Sequence, residues 1–456
     1  MSESIGGTGK GMKLHTKILL GLLIGAVLGV SANVFLGGKS PIVEGVNHYV
    51  AGPAGQIFLR LLFMIVVPLV FASISLGVAG LGDLKRVGRV GAKAIGYFLA
   101  STALAATLGL IIVSAVRPGE RIPEATRISL METYSTDANS KVQAAATSEF
   151  GIQTLVNIVP RNPIKAAVDL DMLGIIFFGM IFGAALTMIR PEKAKPMLAV
   201  LEALNDIVIK IVEMAMRVAP VGVAALIFGV TSRFGFDVVR LLGWYVMVVL
   251  GSLLLHVLIN ISAIIRFLVG MSPWRFFSRI RGALVTAFST SSSSATLPTA
   301  IATAENNLGI PKQIAGFVLP LGSTMCMNGT ALFEGITVIT LAQAFGVHLG
   351  FGQMIAVMVM SVITAVGAAG VPGGSIPLLV GVLTMFGVPA EGIAIVLGVD
   401  RILDMSRTTV NVCGDLSATA WVARAERVWN PSMVPALEDG AAASLDESPG
   451  WPKAQV

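Results

Sequence analysis

Toward its C-terminal end the chain carries Asp400, Arg401, Asp404, Arg407 and Asp415, all charged, in a helix-length stretch that is otherwise apolar or small. At about 100° per residue of helix, Asp400, Asp404, Arg407, Asn411 and Asp415 fall in one stripe roughly 80° wide. An ionisable side chain at bilayer depth is costly, so such a stripe marks an ion or substrate pathway. It has to face protein or water rather than lipid. The chemistry on offer is recognition of charge. Arginine presents a planar fork that suits a carboxylate, and Asp404 sits one turn away for an amine. A zwitterion with an acidic side chain is the ligand that this charge set neutralises best.

The elements that position the stripe are read from hydropathy. The chain has 456 residues, of which 55% are hydrophobic and 13% charged, with mean hydropathy +0.83. A soluble domain carries about 25% charged residues, so the composition is that of a polytopic membrane protein. Charge-free runs of spanning length occupy 18–38, 61–82, 94–116, 172–189 and 241–265. The run 335–390 has no formal charge at all and is long enough for two passes or a re-entrant hairpin. The basic start (Lys10, Lys13, Lys17) precedes an apolar run with no small-residue cleavage site, and reads as a first span rather than a secretory signal.

The formal net charge of +6 follows membrane topology and is not a nucleic-acid footprint. Basic clusters at 10–17, 85–93, 190–195 and 266–281 alternate with loops poorer in Lys and Arg. The positive-inside rule then places the N-terminus in the cytoplasm, with spans 1, 3 and 5 running outward. Residues 117–148 are expected as the long external loop, and the tail from about 429 as a disordered cytoplasmic extension. Cys326 and Cys413 lie in apolar surroundings and make neither a metal pair nor a structural disulfide. The four histidines are scattered, so no metal centre or cofactor is expected.

Two segments are poor helices. Residues 288–298 read Phe-Ser-Thr-Ser-Ser-Ser-Ser-Ala-Thr-Leu-Pro, and serines bond their own backbone in turns and caps. Between apolar arms they predict a re-entrant hairpin with a polar tip. Gly367-Ala-Ala-Gly-Val-Pro-Gly-Gly-Ser-Ile-Pro377 breaks a second apolar run midway. Interrupted segments of this kind are the best sequence pointer to a transporter's midplane site, where free helix ends attract carboxylates.

These residues resemble the dicarboxylate/amino acid:cation symporter family, which includes the glutamate transporters. The resemblance rests on Ser291–Pro298, Met327-Asn-Gly-Thr330, Gly370-Val-Pro-Gly373 and Asp404-Met-Ser-Arg-Thr-Thr-Val-Asn-Val-Cys-Gly-Asp415, in the family's order and spacing, and covers about 14–428. The short loops point to a prokaryotic member. The resemblance implies an all-α polytopic fold of eight transmembrane helices plus two re-entrant helical hairpins, assembled as a homotrimer in the cell (inner) membrane with both termini cytoplasmic. Scaffold helices 1–2 would occupy 14–80 and helices 4–5 would occupy 149–232. The transport domain, moving as an elevator, would comprise helix 3 at 91–117 and a core at 237–428, with hairpin 1 at 273–310 and hairpin 2 at 352–388.

Carried over position by position, the resemblance makes Asp404 the partner of the substrate's ammonium and Arg407 that of its side-chain carboxylate. Ser292, Ser293 and Asn411 would take the α-carboxylate, with Thr330, Thr408, Val371 and Gly373 completing the pocket. One sodium ion would sit on Asp415 with Gly322, Cys326 and Asn411. A second would sit on Thr324, Ala365 and Ala368, mostly through backbone carbonyls, oxygen ligands that suit a hard cation.

The chain departs from the family at helix 7. The family's Asn-Met-Asp-Gly-Thr is here Cys326-Met-Asn328-Gly-Thr, and a family tyrosine in helix 3 is Phe98, although Ser101 and Thr102 keep hydroxyls. Loss of a full negative charge should abolish a third, buried sodium site. Glu334 falls where proton-coupled members carry a proton. A carboxyl in an apolar helix is least costly when neutral, which suits a carrier. The expectation is uptake of glutamate or aspartate, small acidic amino acids, coupled to protons and/or sodium. A C4-dicarboxylate would leave Asp404 without an amine, and a neutral amino acid would leave Arg407 without a carboxylate. A channel needs no such constellation. An enzyme would need a nucleophile and base, and Ser293 has no histidine within plausible reach.

Overall fold

The structure, a computed structural model, describes residues 14–124, 126–128, 159–168, 172–368, 370–389 and 392–434. Most of the expected external loop and the tail beyond 434 lie outside the described residues. Every regular element among the described residues is helical. Helix α1 is Leu14–Leu36. A short α2, Pro41–Val46, is capped by the Ser40 hydroxyl, which accepts from the Val43 amide, and a π turn, Asn47–Ala51, leads on. There follow α3 Gly52–Phe63, α4 Val66–Val87, α5 Arg89–Val116, α6 Pro163–Val168, α7 Met172–Met188 and α8 Pro191–Phe234. Helix α9, Phe236–Leu255, continues through two π turns, His256–Ile261 and Ile264–Val269.

Six helical stretches among the described residues are long and apolar enough to cross a membrane: Thr16–Leu36, Pro41–Leu76, Arg89–Arg121, Pro191–Phe234, Phe236–Val269 and Lys312–Ala344. The expected fourth span is a shorter apolar helix, Gly174–Met188. The eighth escapes an apolar count because its charged stripe lowers its hydropathy. Burial ranks the spans: the most apolar window of Lys312–Ala344 is 100% buried, whereas that of Thr16–Leu36 is 22% buried. The former is therefore the centre of the body. The latter turns Leu23, Ile24, Val27 and Leu28 outward, a face suited to lipid.

The remaining helices build two interruptions around that centre. Helix α10, Pro273–Thr290, and α11, Ser293–Ala302, form the first hairpin. Its arms run back on each other, since Asn307 Nδ2 donates to the Arg279 carbonyl near the open end (2.9 Å). Ser291 makes the turn in the left-handed region, φ 52°, and the Ser292 hydroxyl caps α11 by accepting from the Ala295 amide (3.1 Å). Helix α12, Lys312–Met325, breaks at Cys326 and Met327 before α13, Asn328–Ala344. The second hairpin consists of α14, Phe351–Val366, and α15, Ile376–Met385, joined by a glycine-rich turn. Helix α16, Ile393–Ala425, carries the charged stripe.

Helices α1, α3 and α4 pack on the long α8, and α7 packs on α4. Helix α16 is the hub of the rest, touching α5, α9, α10, α11, α12 and α13, and it also meets α1 and α8. Both hairpin tips converge on Gly370, whose carbonyl accepts from the Ser292 hydroxyl (2.6 Å) and the Ser294 amide (3.1 Å). A Cβ on Gly370 would stand 2.7 Å from Ser294 Oγ and 3.0 Å from the Ser323 carbonyl oxygen, so the tips meet only through a glycine.

Residues 429–434, expected as the start of the tail, are packed on the body. Trp429 and Val434 are buried, the Trp429 indole donates to the Leu308 carbonyl (2.8 Å), and Arg275 donates to the Val434 carbonyl. These bonds tie residues 429–434 to the first hairpin. Beside them, Glu426 is held by Arg89 (2.7 Å) and Lys93 (2.8 Å) from the start of α5. Hydrogen bonds from both cations pull its carboxyl down to about 2 from the ordinary 4.5. A depressed carboxylate stabilises the fold above its unfolded value, and the contribution is lost as pH falls toward the folded value. Glu426→Gln should therefore melt slightly below the parent at pH 7, by on the order of 1–3 °C given the exposure of Arg89. The gap should close between pH 4.5 and about 2, as followed by thermal unfolding in detergent.

Candidate functional site

Helix α16 buries the first part of its charged stripe, Asp400, Asp404 and Arg407, because these side chains pair with one another inside the protein. Arg407 is 2% exposed. Its Nη1 donates to Asp400 Oδ1 (2.9 Å), and its Nη2 forms an ion pair with Asp404 Oδ1 at 2.9 Å, without hydrogen-bond alignment. The guanidinium plane lies over the Phe333 ring, 4.2 Å from the centroid, a cation–π contact that further offsets desolvation. Asp404 Oδ2 accepts from the Gly373 amide in the second hairpin (3.1 Å) and stands 3.6 Å from Arg401 Nη1.

The broken α12–α13 span supplies the facing wall. The free amides at the start of α13 need partners, and Asn411 provides one: its Oδ1 accepts from the amides of Gly329 (2.7 Å) and Thr330 (3.3 Å). Asn411 Nδ2 in turn donates to the Thr330 hydroxyl (3.0 Å). A Cβ on Gly329 would stand 2.4 Å from the Arg407 carbonyl oxygen, so the glycine lets α13 lie directly against α16.

Of the residues expected to bind substrate, Ser293, Thr330, Val371, Asp404, Arg407, Thr408 and Asn411 line one cleft between the two hairpin tips. Ser292 and Gly373 stand just behind it, the first tying the tips together, the second bonded to Asp404. Ala368, expected as a sodium ligand, also lines it. Sequence reasoning gave no role to Ser291, Met327 or Ser375 of the lining, nor to Asp400 as the hydrogen-bonded partner of Arg407. Asp400 was findable, being two helical turns before Arg407 on the same face. Ser291 was not, since a run of hydroxyls does not say which residue takes the left-handed turn.

The expected sodium ligands fare unevenly. Asp415 is buried, its Oδ1 lacking a hydrogen-bond partner among the described residues, and a Cβ on Gly322 would stand 2.7 Å from that oxygen. Cys326 neighbours the same carboxylate. Thr324 is exposed, its hydroxyl bonded to the Leu321 carbonyl (3.0 Å), and the Ala365 carbonyl accepts from the Ala368 amide (3.1 Å). Asn328 sits in a neutral network: it accepts from the Thr102 hydroxyl (2.8 Å) and donates to the Ser101 hydroxyl (2.7 Å), close to the Cys326 thiol (3.7 Å). The amide of Asn328 is thus already occupied by two hydroxyls.

Glu334 is fully buried on α13, with Oε2 2.6 Å from the Thr364 hydroxyl of the second hairpin. That hydroxyl also lies 2.7 Å from the Met360 carbonyl. Its single proton cannot serve both. When Thr364 donates to Met360, a proton on the carboxyl completes the short contact.

A polytopic membrane protein with a buried, charged cleft between two helix interruptions is thus the class defined by fold and site. The profile of the sodium:dicarboxylate symporter family matches residues 14–425, and the chain belongs to that family. It is 34% identical over 429 residues to the proton/glutamate-aspartate symporter of Escherichia coli K12, covering 94% of this chain and 97% of that one. It is 36% identical over 421 residues to the proton/sodium-glutamate symport protein of Bacillus subtilis 168, covering 92% and 94%. It is 33% identical to mouse excitatory amino acid transporter 2, covering 88% and 78%.

The Asn328 network makes a prediction. Asn328→Leu leaves the Ser101 and Thr102 hydroxyls buried without their partner, which costs about 1–3 kcal/mol. The variant should unfold at a lower temperature than the parent in a thiol-reactive thermal assay. An unchanged melting temperature would mean that the network contributes nothing.

Proposed function

We propose that the protein is a secondary active symporter that takes up acidic amino acids, glutamate or aspartate, with coupling to protons, sodium ions or both. The observation that carries the reading is the juxtaposition of Asp404 and Arg407 in a cleft closed by two hairpin tips. One carboxylate and one guanidinium, both buried, match a ligand that bears an ammonium and a second carboxylate. The names of the relatives agree in substrate. A C4-dicarboxylate would put a further anion beside Asp404 and offer it no amine, and a neutral amino acid would leave Arg407 without a substrate carboxylate.

In this reading Asp404 takes the ammonium and Arg407 the side-chain carboxylate. Asn411, with the backbone near Ser292 and Ser293, takes the α-carboxylate, and Thr330, Thr408, Val371 and Gly373 shape the pocket. Asp415 with Gly322, Cys326 and Asn411 holds a sodium ion as cargo, and carbonyls of Thr324, Ala365 and Ala368 hold a second. The neutral Asn328 argues against a third. The helices gathered on α8 serve as a scaffold and trimer surface. Those gathered on α16 move as an elevator, in the cell membrane with both termini cytoplasmic.

Glu334 carries the proton. Its contact with Thr364 joins α13 to the second hairpin, so protonation is coupled to the segment that covers the cleft. Purified protein in liposomes should accumulate labelled glutamate or aspartate when inward proton and sodium gradients are imposed separately. Glu334→Gln should transport with little response to the proton gradient. Full retention of that response removes Glu334 from the coupling.

A further inference from the structure

Asp404 already has more partners than a receptor for an ammonium group should have. Arg407 Nη2 stands 2.9 Å from Oδ1, the Gly373 amide donates to Oδ2 at 3.1 Å, and Arg401 Nη1 stands 3.6 Å from the same Oδ2. An incoming ammonium competes with them for the carboxylate. The Gly373 amide is part of the hairpin turn, and Arg407 is locked by Asp400 and stacked on Phe333. Arg401 is the exception. It is 8% exposed, and among the described residues its Nε has no hydrogen-bond partner and its one ion pair, at 3.6 Å, is too long for a good hydrogen bond. A buried guanidinium so weakly held is costly to keep and needs little to move.

We infer that Arg401 is the internal competitor of the substrate's ammonium group for Asp404, and that it sets the carrier's selectivity for amines. This rests on the acidic amino acid reading of the cleft and deepens it. With Arg401 on Asp404, the four charges Asp400, Arg401, Asp404 and Arg407 balance within one helix. An amine-bearing ligand displaces Arg401 from Oδ2 and takes its place. A ligand without the amine leaves Arg401 where it is, and Asp404 stays neutralised. Arg401 therefore narrows the difference between the two ligands, because it lends Asp404 a cation only when the ligand brings none.

The test is calorimetric binding of aspartate and of succinate, the same carbon skeleton without the amine, to wild type, Arg401→Gln and Arg401→Lys. Without the competing cation, Arg401→Gln should bind aspartate at least as tightly as wild type. It should bind succinate about tenfold more weakly, because Asp404 is then less neutralised beside a dianion. Lysine keeps the charge as a point on a shorter reach, so Arg401→Lys should give an aspartate-to-succinate ratio between the other two. This variant alone carries the test if the glutamine variant does not fold. A tenfold loss of aspartate affinity in either variant would make Arg401 a carboxylate-holding residue and overturn the inference. So would a ratio unchanged in both. If wild type binds neither aspartate nor glutamate, the functional reading itself falls, an outcome distinct from either of those.

Discussion

A guanidinium buried between two carboxylates on one helix is the constraint around which the molecule is arranged. Arg407 cannot face lipid, and it cannot be left unpaired in a protein interior. Asp400 and Asp404 neutralise it from the two turns before it, and Phe333 covers its plane. Those contacts require α13 to lie hard against α16. That closeness in turn requires Gly329 at the crossing and a break in the α12–α13 span, so that free amides meet Asn411. The most apolar part of this broken span is also the most deeply buried of the six candidate spans among the described residues.

The two hairpins complete the enclosure by different devices. The first ends in a serine turn whose Ser292 hydroxyl caps one arm and bonds the other hairpin. The second ends in glycines that bring its backbone to both sides: Gly370 to the serine tip and Gly373 to Asp404. The charged stripe and the second hairpin thus share a hydrogen bond. A group that changes the hydrogen bonding of Asp404 acts directly on the second hairpin. Glu334, bonded to Thr364 of the same hairpin, ties that hairpin to α13.

Much of this was legible in the residues. The stripe from Asp400 to Asp415, the serine tip and the glycine-proline break all stand out against an apolar background. Each is a local violation of what a membrane helix tolerates, and such violations mark function. The boundary of the packed body was not legible, because Trp429 and Val434 look like the start of a polar tail until their partners, Leu308 and Arg275, are known. Nor was the neutral network of Asn328, since its hydroxyl partners come from a helix more than two hundred residues away in sequence.

The sequence by itself determined which residue types could act and that they share a helical face, because helical period and hydropathy are local properties of the chain. It could not determine who pairs with whom. That Arg407 is shared by Asp400 and Asp404, that Arg401 reaches Asp404 only at 3.6 Å, and that Gly370 joins two hairpins were decided by tertiary structure. The reason is physical: a buried charge is stabilised by whatever lies within a few ångströms, and at that range the neighbours are set by packing between helices distant in sequence.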